Sequence, residues 1–258
     1  MTQDLLSSLE SGIFTLTIHR PEQRNALNAA VVGGLTEALR QAGDDRAVRV
    51  VAITGTGDKV FCAGADLKTA LPEARDGEAF SPGAYRNLLF EILGCPKPTV
   101  ALARGHVIAG GLGLLLACDL AFACDDITIS TPEIQVGMFP MMVLALLYRH
   151  LGRKQAAEML LLGERISAPA ALRFGILNRA VPRQNFEGEV GPILRKLADK
   201  SSHIVRLGKE AIERVAGRDL REDLEYLERA LAAVMATADS QEGILAFLEK
   251  RPPNWRDE

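Results

Sequence analysis

The sequence predicts an α/β domain over residues 1–185, followed by a helical region over 186–258. Three observations carry that expectation. Short apolar, β-branched runs of strand length alternate with stretches of 3.6-residue periodicity in the first region. Beyond about residue 185 the strand signals cease and only helical periodicity remains. Glycine turns interrupt the strongest apolar segments, above all in "RGHVIAGGLGLLLACDLAFACDD" (104–126).

The elements follow in order. "GIFTLTIHRP" (12–21) is a strand ended by Pro21. "LNAAVVGGLTEALRQAGDD" places Val31, Leu35, Ala38 and Leu39 on one helical face, with Asn28 as N-cap. "VRVVAIT" (48–54) is a strand, which completes a β–α–β pattern. "KVFCAGADLK" (59–68) is a short strand running into a glycine turn that opens a helix, and "PGAYRNLLFEIL" is an amphipathic helix. "TVALARGH" (99–106) is a strand bent at Gly105, and "DLAFACDDITISTPEI" holds two more short strands. Helices are expected at 142–151, 153–162 and 168–174, with a strand in "ILNRAVP" (176–182). The C-terminal helices are "EGEVGPILRKLADKS", "IVRLGKEAIERV", "LREDLEYLERALAAVMAT" and "SQEGILAFLEK". Lacking a sheet to lean on, such helices tend to pack on neighbouring subunits.

Composition narrows the function. Of 258 residues, 48% are hydrophobic and 24% charged, an ordinary globular balance. A net charge of −3 implies no broad basic face, so nucleic acid is not the expected partner. No apolar run reaches the ~18 residues of a membrane span, so no membrane association is expected. The N-terminus lacks a signal peptide's basic and apolar regions, so the chain reads as cytoplasmic. Cys62, Cys95, Cys118 and Cys124 show no CxxC spacing and read as reduced, buried thiols. His19, His106, His150 and His203 are scattered, and no metal site is expected. There is no GxSxG, HExxH or GxxxxGK[ST] motif. "GGLGLLL" lacks the third small residue of a dinucleotide fingerprint, so no nicotinamide cofactor is expected.

Two glycine turns remain, "CAGAD" and "HVIAGGLG", each at the end of an apolar strand. The first N–H groups of a helix have no internal partner and attract negative charge. Two of them aimed at one point make an oxyanion hole. The same glycines also suit close packing of a core helix, and the pattern leaves both readings open.

At these residues the chain resembles the crotonase superfamily, the enoyl-CoA hydratase/isomerase family. Six segments carry the resemblance: "HRPEQRNALN" (19–28), "FCAGADLK" (61–68), "ALARGHVIAGGLGLLLACDLAFA" (101–123), "STPEIQVGMFP" (130–140), "LLGERISAPAALRFGILNRAVP" (161–182) and "SQEGILAFLEKR" (240–251). It implies a spiral core of ββα repeats and a C-terminal helical region that forms a homotrimer, often stacked as a hexamer. It implies a coenzyme A thioester as substrate and no permanently bound cofactor. The backbone N–H groups of Ala65 and Gly110 are the implied oxyanion donors, holding the thioester oxygen as it gains enolate character. Arg24, Ala26, Ala63, Asp66, Leu67 and Lys68 are the implied contacts to the CoA arm, with Arg24 and Lys68 as the cations. Phe247 and Lys250 match positions that reach a neighbouring subunit's CoA. Gly111, Gly113, Phe139, Pro140 and Met141 are expected in the pocket.

The resemblance breaks at one point. Hydratases of this family use two carboxylates. The later one is present as Glu133, but the position of the first is Gly113. No nearby carboxylate stands in, since Asp119 lies six residues on; Glu73, Asp76 and Glu78 in "PEARDGEAF" are the carboxylates from elsewhere that could reach the pocket. "MMVLAL" after Pro140 replaces a glycine-rich stretch, which makes the site drier. Glu133 is expected to have a raised pKa from burial among Ile134, Val136, Met138 and Phe139. Isomerisation needs only one acid–base and is favoured, while hydration stays open. Decarboxylation, thioester hydrolysis, C–C cleavage and a CoA-thioester binder with little turnover are the alternatives.

Overall fold

The computed structural model describes residues 3–66, 81–136, 138–215 and 237–256, and within the last helix leaves side chains 240, 241, 244, 245, 247 and 248 undescribed. An antiparallel pair opens the chain: β1 (Leu5–Glu10) against β2 (Ile13–Ile18). α1 (Ala29–Asp44) follows, with the Asn28 side chain accepting from the Val31 N–H at 2.9 Å as its cap.

From there the chain repeats one move: a strand, a second short strand, then a helix. The first turn is β3 (Val50–Gly55), β4 (Val60–Cys62) and α2 (Pro82–Leu93). The second is β5 (Thr99–Ala103), β6 (His106–Ile108) and α3 (Gly110–Ala117). The third is β7 (Leu120–Cys124), β8 (Thr128–Ser130) and, after a 3₁₀ turn at Pro132–Val136, α4 (Met141–His150). α5 (Arg153–Leu162), β9 (Arg165–Ser167), α6 (Ala168–Phe174) and β10 (Arg179–Val181) complete the α/β region.

The first strands of the three turns join one six-stranded sheet, ordered β1-β2-β3-β5-β7-β10. The second strands join another, ordered β4-β6-β8-β9. Successive turns pair in parallel in both sheets, which is a spiral. Parallel strands covered on both faces must be apolar throughout, and "VVAITG" of β3 is buried at every residue but Thr54. α3 is apolar on all sides and buried from Gly111 to Ala117, so it is the central helix of the molecule.

α7 (Phe186–Ala198) and α8 (Ser202–Val215) begin the C-terminal region, and α9 (Ala238–Glu249) ends it. α7 packs on β2, β3 and β7, burying Phe186, Val190 and Leu194. This first C-terminal helix therefore does lean on a sheet, contrary to the sequence expectation.

Several other expectations need correction. β1 was not foreseen: "LLSSLE" mixes serines with two leucines, Leu6 and Leu9, that the edge strand leaves exposed. β9 is three residues, two of them exposed, too short to show a period. The strand at 99–106 is two strands, one in each sheet, parted at Gly105. A Cβ there would lie 2.4 Å from the Val60 nitrogen, so the chain can cross only with glycine. The helix expected after "GAD" lies outside the described residues, as does nearly all of "LREDLEYLERALAAVMAT".

Candidate active site

The ends of β4 and β6 bring the two glycine turns together. Leu27 pairs with Ala65 as an isolated parallel bridge: the Leu27 N–H donates to the Gly64 carbonyl at 2.7 Å, and the Asp66 N–H to the Leu27 carbonyl at 2.9 Å. Those bonds use the groups on one edge of the 64–66 segment. The N–H of Ala65 points to the opposite edge, because successive peptide groups of an extended chain alternate. Gly64 has φ +80°, and a Cβ on it would lie 2.7 Å from the Gly110 nitrogen. Only glycine lets these two backbones come so close.

Gly110 is the first residue of α3, so its N–H has no partner within the helix. The residue before it, Ala109, holds φ 54° and ψ −129°, a conformation costly for a side-chain-bearing residue. That corner turns the chain from β6 into α3 while the Ala109 N–H stays bonded to the Ser130 carbonyl at 2.9 Å. Among the described residues neither the Ala65 nor the Gly110 N–H has an acceptor. Both residues line one cavity of about 930 Å³. The N-terminus of α3 adds the positive end of its dipole.

Glu133 lines the same cavity from the Pro132–Val136 turn. Its Oε2 is buried and has no hydrogen-bond partner among the described residues. Burial holds the carboxyl above the usual carboxylate range. Burial is the cause expected; of the neighbours expected to supply it, Ile134, Val136 and Met138 are themselves 40%, 60% and 42% exposed, and Phe139 is half-buried.

The remaining candidates divide. Arg24, Ala26, Ala63, Asp66, Phe139, Pro140 and Met141 line the cavity, with Arg24 and Met141 exposed. The Asp66 carboxylate is held by Arg20 at 2.9 Å, and Arg20 also donates to the Ala26 carbonyl at 2.8 Å. Asp66 therefore ties the loop, a structural task that the sequence reading missed. Gly111 and Gly113 are absent from the cavity wall, a second correction. A Cβ on Gly111 would lie 2.4 Å from the Cys62 carbonyl oxygen, and one on Gly113 would lie 2.1 Å from Tyr85 Oη. For these two the packing reading of the glycines holds. Lys250 is exposed at the end of α9 and does not line this cavity. Leu67, Lys68, Glu73, Asp76, Glu78 and the side chain of Phe247 lie outside the described residues. Asp119 is turned away, accepting from the Thr99 N–H at 2.7 Å and pairing with Lys209.

Tyr85 is the residue that sequence reasoning overlooked. It lines the cavity from α2, is buried, and donates its hydroxyl to the Gly110 carbonyl at 2.5 Å. Its signal was a lone hydroxyl on an otherwise aliphatic face, with Leu88, Leu89 and Ile92.

The fold is thus a spiral ββα core, and its cavity holds two backbone N–H groups and the Glu133 carboxyl that have no partner among the described residues. The model of the enoyl-CoA hydratase/isomerase family matches residues 8–258, and the chain belongs to that family. It is 35% identical over 248 residues to human enoyl-CoA hydratase domain-containing protein 3, mitochondrial, covering 96% of this chain and 82% of that one. The solved structure of the human domain-containing protein 3 superposes with a TM-score of 0.92 at 33% identity, over 98% of this chain and 100% of that one. An enoyl-CoA hydratase from Bacillus anthracis superposes with a TM-score of 0.91 at 31% identity, over 99% and 100%.

Proposed function

We propose that the chain is an acyl-CoA enzyme that moves a double bond in an enoyl-CoA through a thioester enolate. One observation carries this: a buried carboxyl and two N–H groups, all without a partner among the described residues, belong to residues that line one cavity. Glu133 takes a proton from C2 of a 3-enoyl thioester. The C2–H electron pair forms a C1–C2 double bond and the C1–O π pair moves onto oxygen, so the resulting dienolate carries its negative charge on the thioester oxygen. The Ala65 and Gly110 N–H groups hold that oxygen, a contribution of about 2.7–4 kcal/mol for each donor. Glu133, now protonated, returns the proton to C4, which leaves the 2-enoyl thioester and the starting enzyme. Its raised pKa suits both halves of this transfer.

Arg24, Ala26 and Ala63 are the contacts offered to the CoA arm, with Lys68 and a neighbour's Phe247 and Lys250 completing it. The exposed Leu161 and Leu162 of α5, 62% and 52% accessible, suit burial between subunits of a trimer or hexamer; sedimentation as a monomer would remove that part of the reading. Hydration by Glu133 alone is the second reading, favoured by the names that the relatives carry.

The test is Glu133→Gln, assayed with a 3-enoyl-CoA and with crotonyl-CoA. The wild type should shift the double bond of the first. The variant should lose about 10²–10⁴-fold in kcat while still binding acyl-CoA. An unimpaired variant contradicts the role of Glu133, and faster hydration than isomerisation by the wild type favours the second reading.

A further inference from the structure

Resting on that reading, we infer that Tyr85 is a positioning residue that locks the Gly110 oxyanion donor in place and, by filling the space beside Gly113, keeps a second carboxylate from that position. Four observations converge on it. The corner that aims the Gly110 N–H contains Ala109 at φ 54° and ψ −129°. A strained residue of this kind persists only where its surroundings over-determine it. One clamp is the Ala109 N–H to the Ser130 carbonyl, at 2.9 Å. The Tyr85 hydroxyl, donating to the Gly110 carbonyl at 2.5 Å, is the other, and it acts on the first turn of α3 from outside the helix.

The ring is fixed as firmly as the corner. Tyr85 is 2% exposed, and it sits on α2 with Leu88, Leu89 and Ile92 buried on the same face. α2 packs on both α1 and α3. Burial, with Cys62 and Glu133 nearby, keeps the phenol protonated far past neutrality, so the group retains the proton that it donates to Gly110.

The Gly113 position gives the consequence for specificity. A Cβ there would lie 2.1 Å from Tyr85 Oη and 3.2 Å from Cζ. No side chain, whether methyl or carboxylate, fits at 113 while the hydroxyl keeps this position. A second acid at that position would have to displace the Tyr85 hydroxyl from its bond to Gly110. The chain has the hydroxyl, so position 113 offers no acid to work beside Glu133.

The experiment is a cycle of Tyr85→Phe, Gly113→Ala and the double variant. It reads kcat and KM with a 3-enoyl-CoA, C2-proton exchange of butyryl-CoA in D₂O, and the pH profile of each. Y85F should lose about tenfold to a hundredfold in kcat and in exchange, with KM within about threefold, because donor placement and not binding is lost. The acid limb set by Glu133 should not move. G113A should lose at least as much, because its Cβ displaces the hydroxyl. The double variant should be no worse than Y85F, since the nearest ring atom then sits 3.2 Å from the Cβ. Losses that multiply, or a Y85F enzyme with wild-type kcat, overturn the inference. Disappearance of an alkaline limb in Y85F also overturns it, since Tyr85 would then be giving up its proton. If G113A fails to fold, Y85F alone decides. A wild type inert toward every thioester removes the functional reading and this one together; an active wild type with an unimpaired Y85F removes this one only.

Discussion

Glu133 is placed under opposing demands by its surroundings. The proposed reaction needs its carboxyl to exchange a proton near neutrality, while the fold leaves Oε2 buried with no partner among the described residues. Burial raises its pKa, so the folded chain holds this proton more tightly than the unfolded chain does. The stability linked to it is therefore fully present below the ordinary carboxylate range and is lost as pH rises through the higher folded value. At neutral pH the ionised carboxylate is a cost. Glu133→Gln should then stabilise the protein by about 1 kcal/mol at neutral pH, a low figure because the residue is partly open to solvent. The gain should shrink as pH falls below the carboxylate range. In the wild type the acid limb of kcat/KM should lie above the ordinary carboxylate value. Melting curves and rate profiles across pH check both, and a variant that is less stable at every pH contradicts the picture of an unpartnered carboxyl. Motifs in the sequence singled out Glu133, Ala65 and Gly110. Tyr85 could not be read there, because it meets Gly110 across 25 residues and from another turn of the spiral. The task of Asp66 was hidden likewise, since its partner Arg20 lies 46 residues away.

Among the elements, the loop between β2 and α1 depends on one side chain. Asn25 holds φ 54°, where asparagine is tolerated, and is 1% exposed. Its side chain accepts from the Arg20 N–H at 3.1 Å and donates to the Thr56 and Val60 carbonyls at 3.1 and 2.7 Å. These bonds pin the loop that carries Arg24 and Ala26 to the end of β3 and the start of β4. Asn25→Ala should cost about 2–4 kcal/mol, because buried groups lose their partners. It should also raise KM for acyl-CoA more than it lowers kcat. Denaturant unfolding checks the first, and a change below about 0.5 kcal/mol, the size of an ordinary surface substitution, contradicts it. The helices α5 and α6 matched their expected bounds because their stops are chemical: Gly163 and Gly175 take the left-handed cap, and Ser167 caps the Ala170 N–H. The strand β1 carried no such marker, and its register comes from pairing with β2. Pairing between distant segments is a tertiary fact that local pattern does not contain.

At the scale of the whole molecule, the spiral places the site. Each turn sends its second strand into the small sheet, so the ends of β4 and β6 lie side by side although more than forty residues separate Ala65 from Gly110. The Pro132–Val136 turn follows β8, the next strand of that sheet, and brings in Glu133. Three consecutive repeats thus supply one group each to a single cavity. The repeats' strands and helices were legible as an α/β alternation. Their winding into a spiral came from the resemblance alone, since periodicity shows which segments are strands and not which sheet each one joins. The central claim is that two peptide N–H groups from separate repeats grip one thioester oxygen. A crystal structure of the protein with bound acetoacetyl-CoA measures this directly. The thioester carbonyl oxygen should lie about 2.7–3.1 Å from both the Ala65 and the Gly110 nitrogens, with C2 facing Glu133. A carbonyl bonded to only one of them, or turned toward solvent, contradicts it.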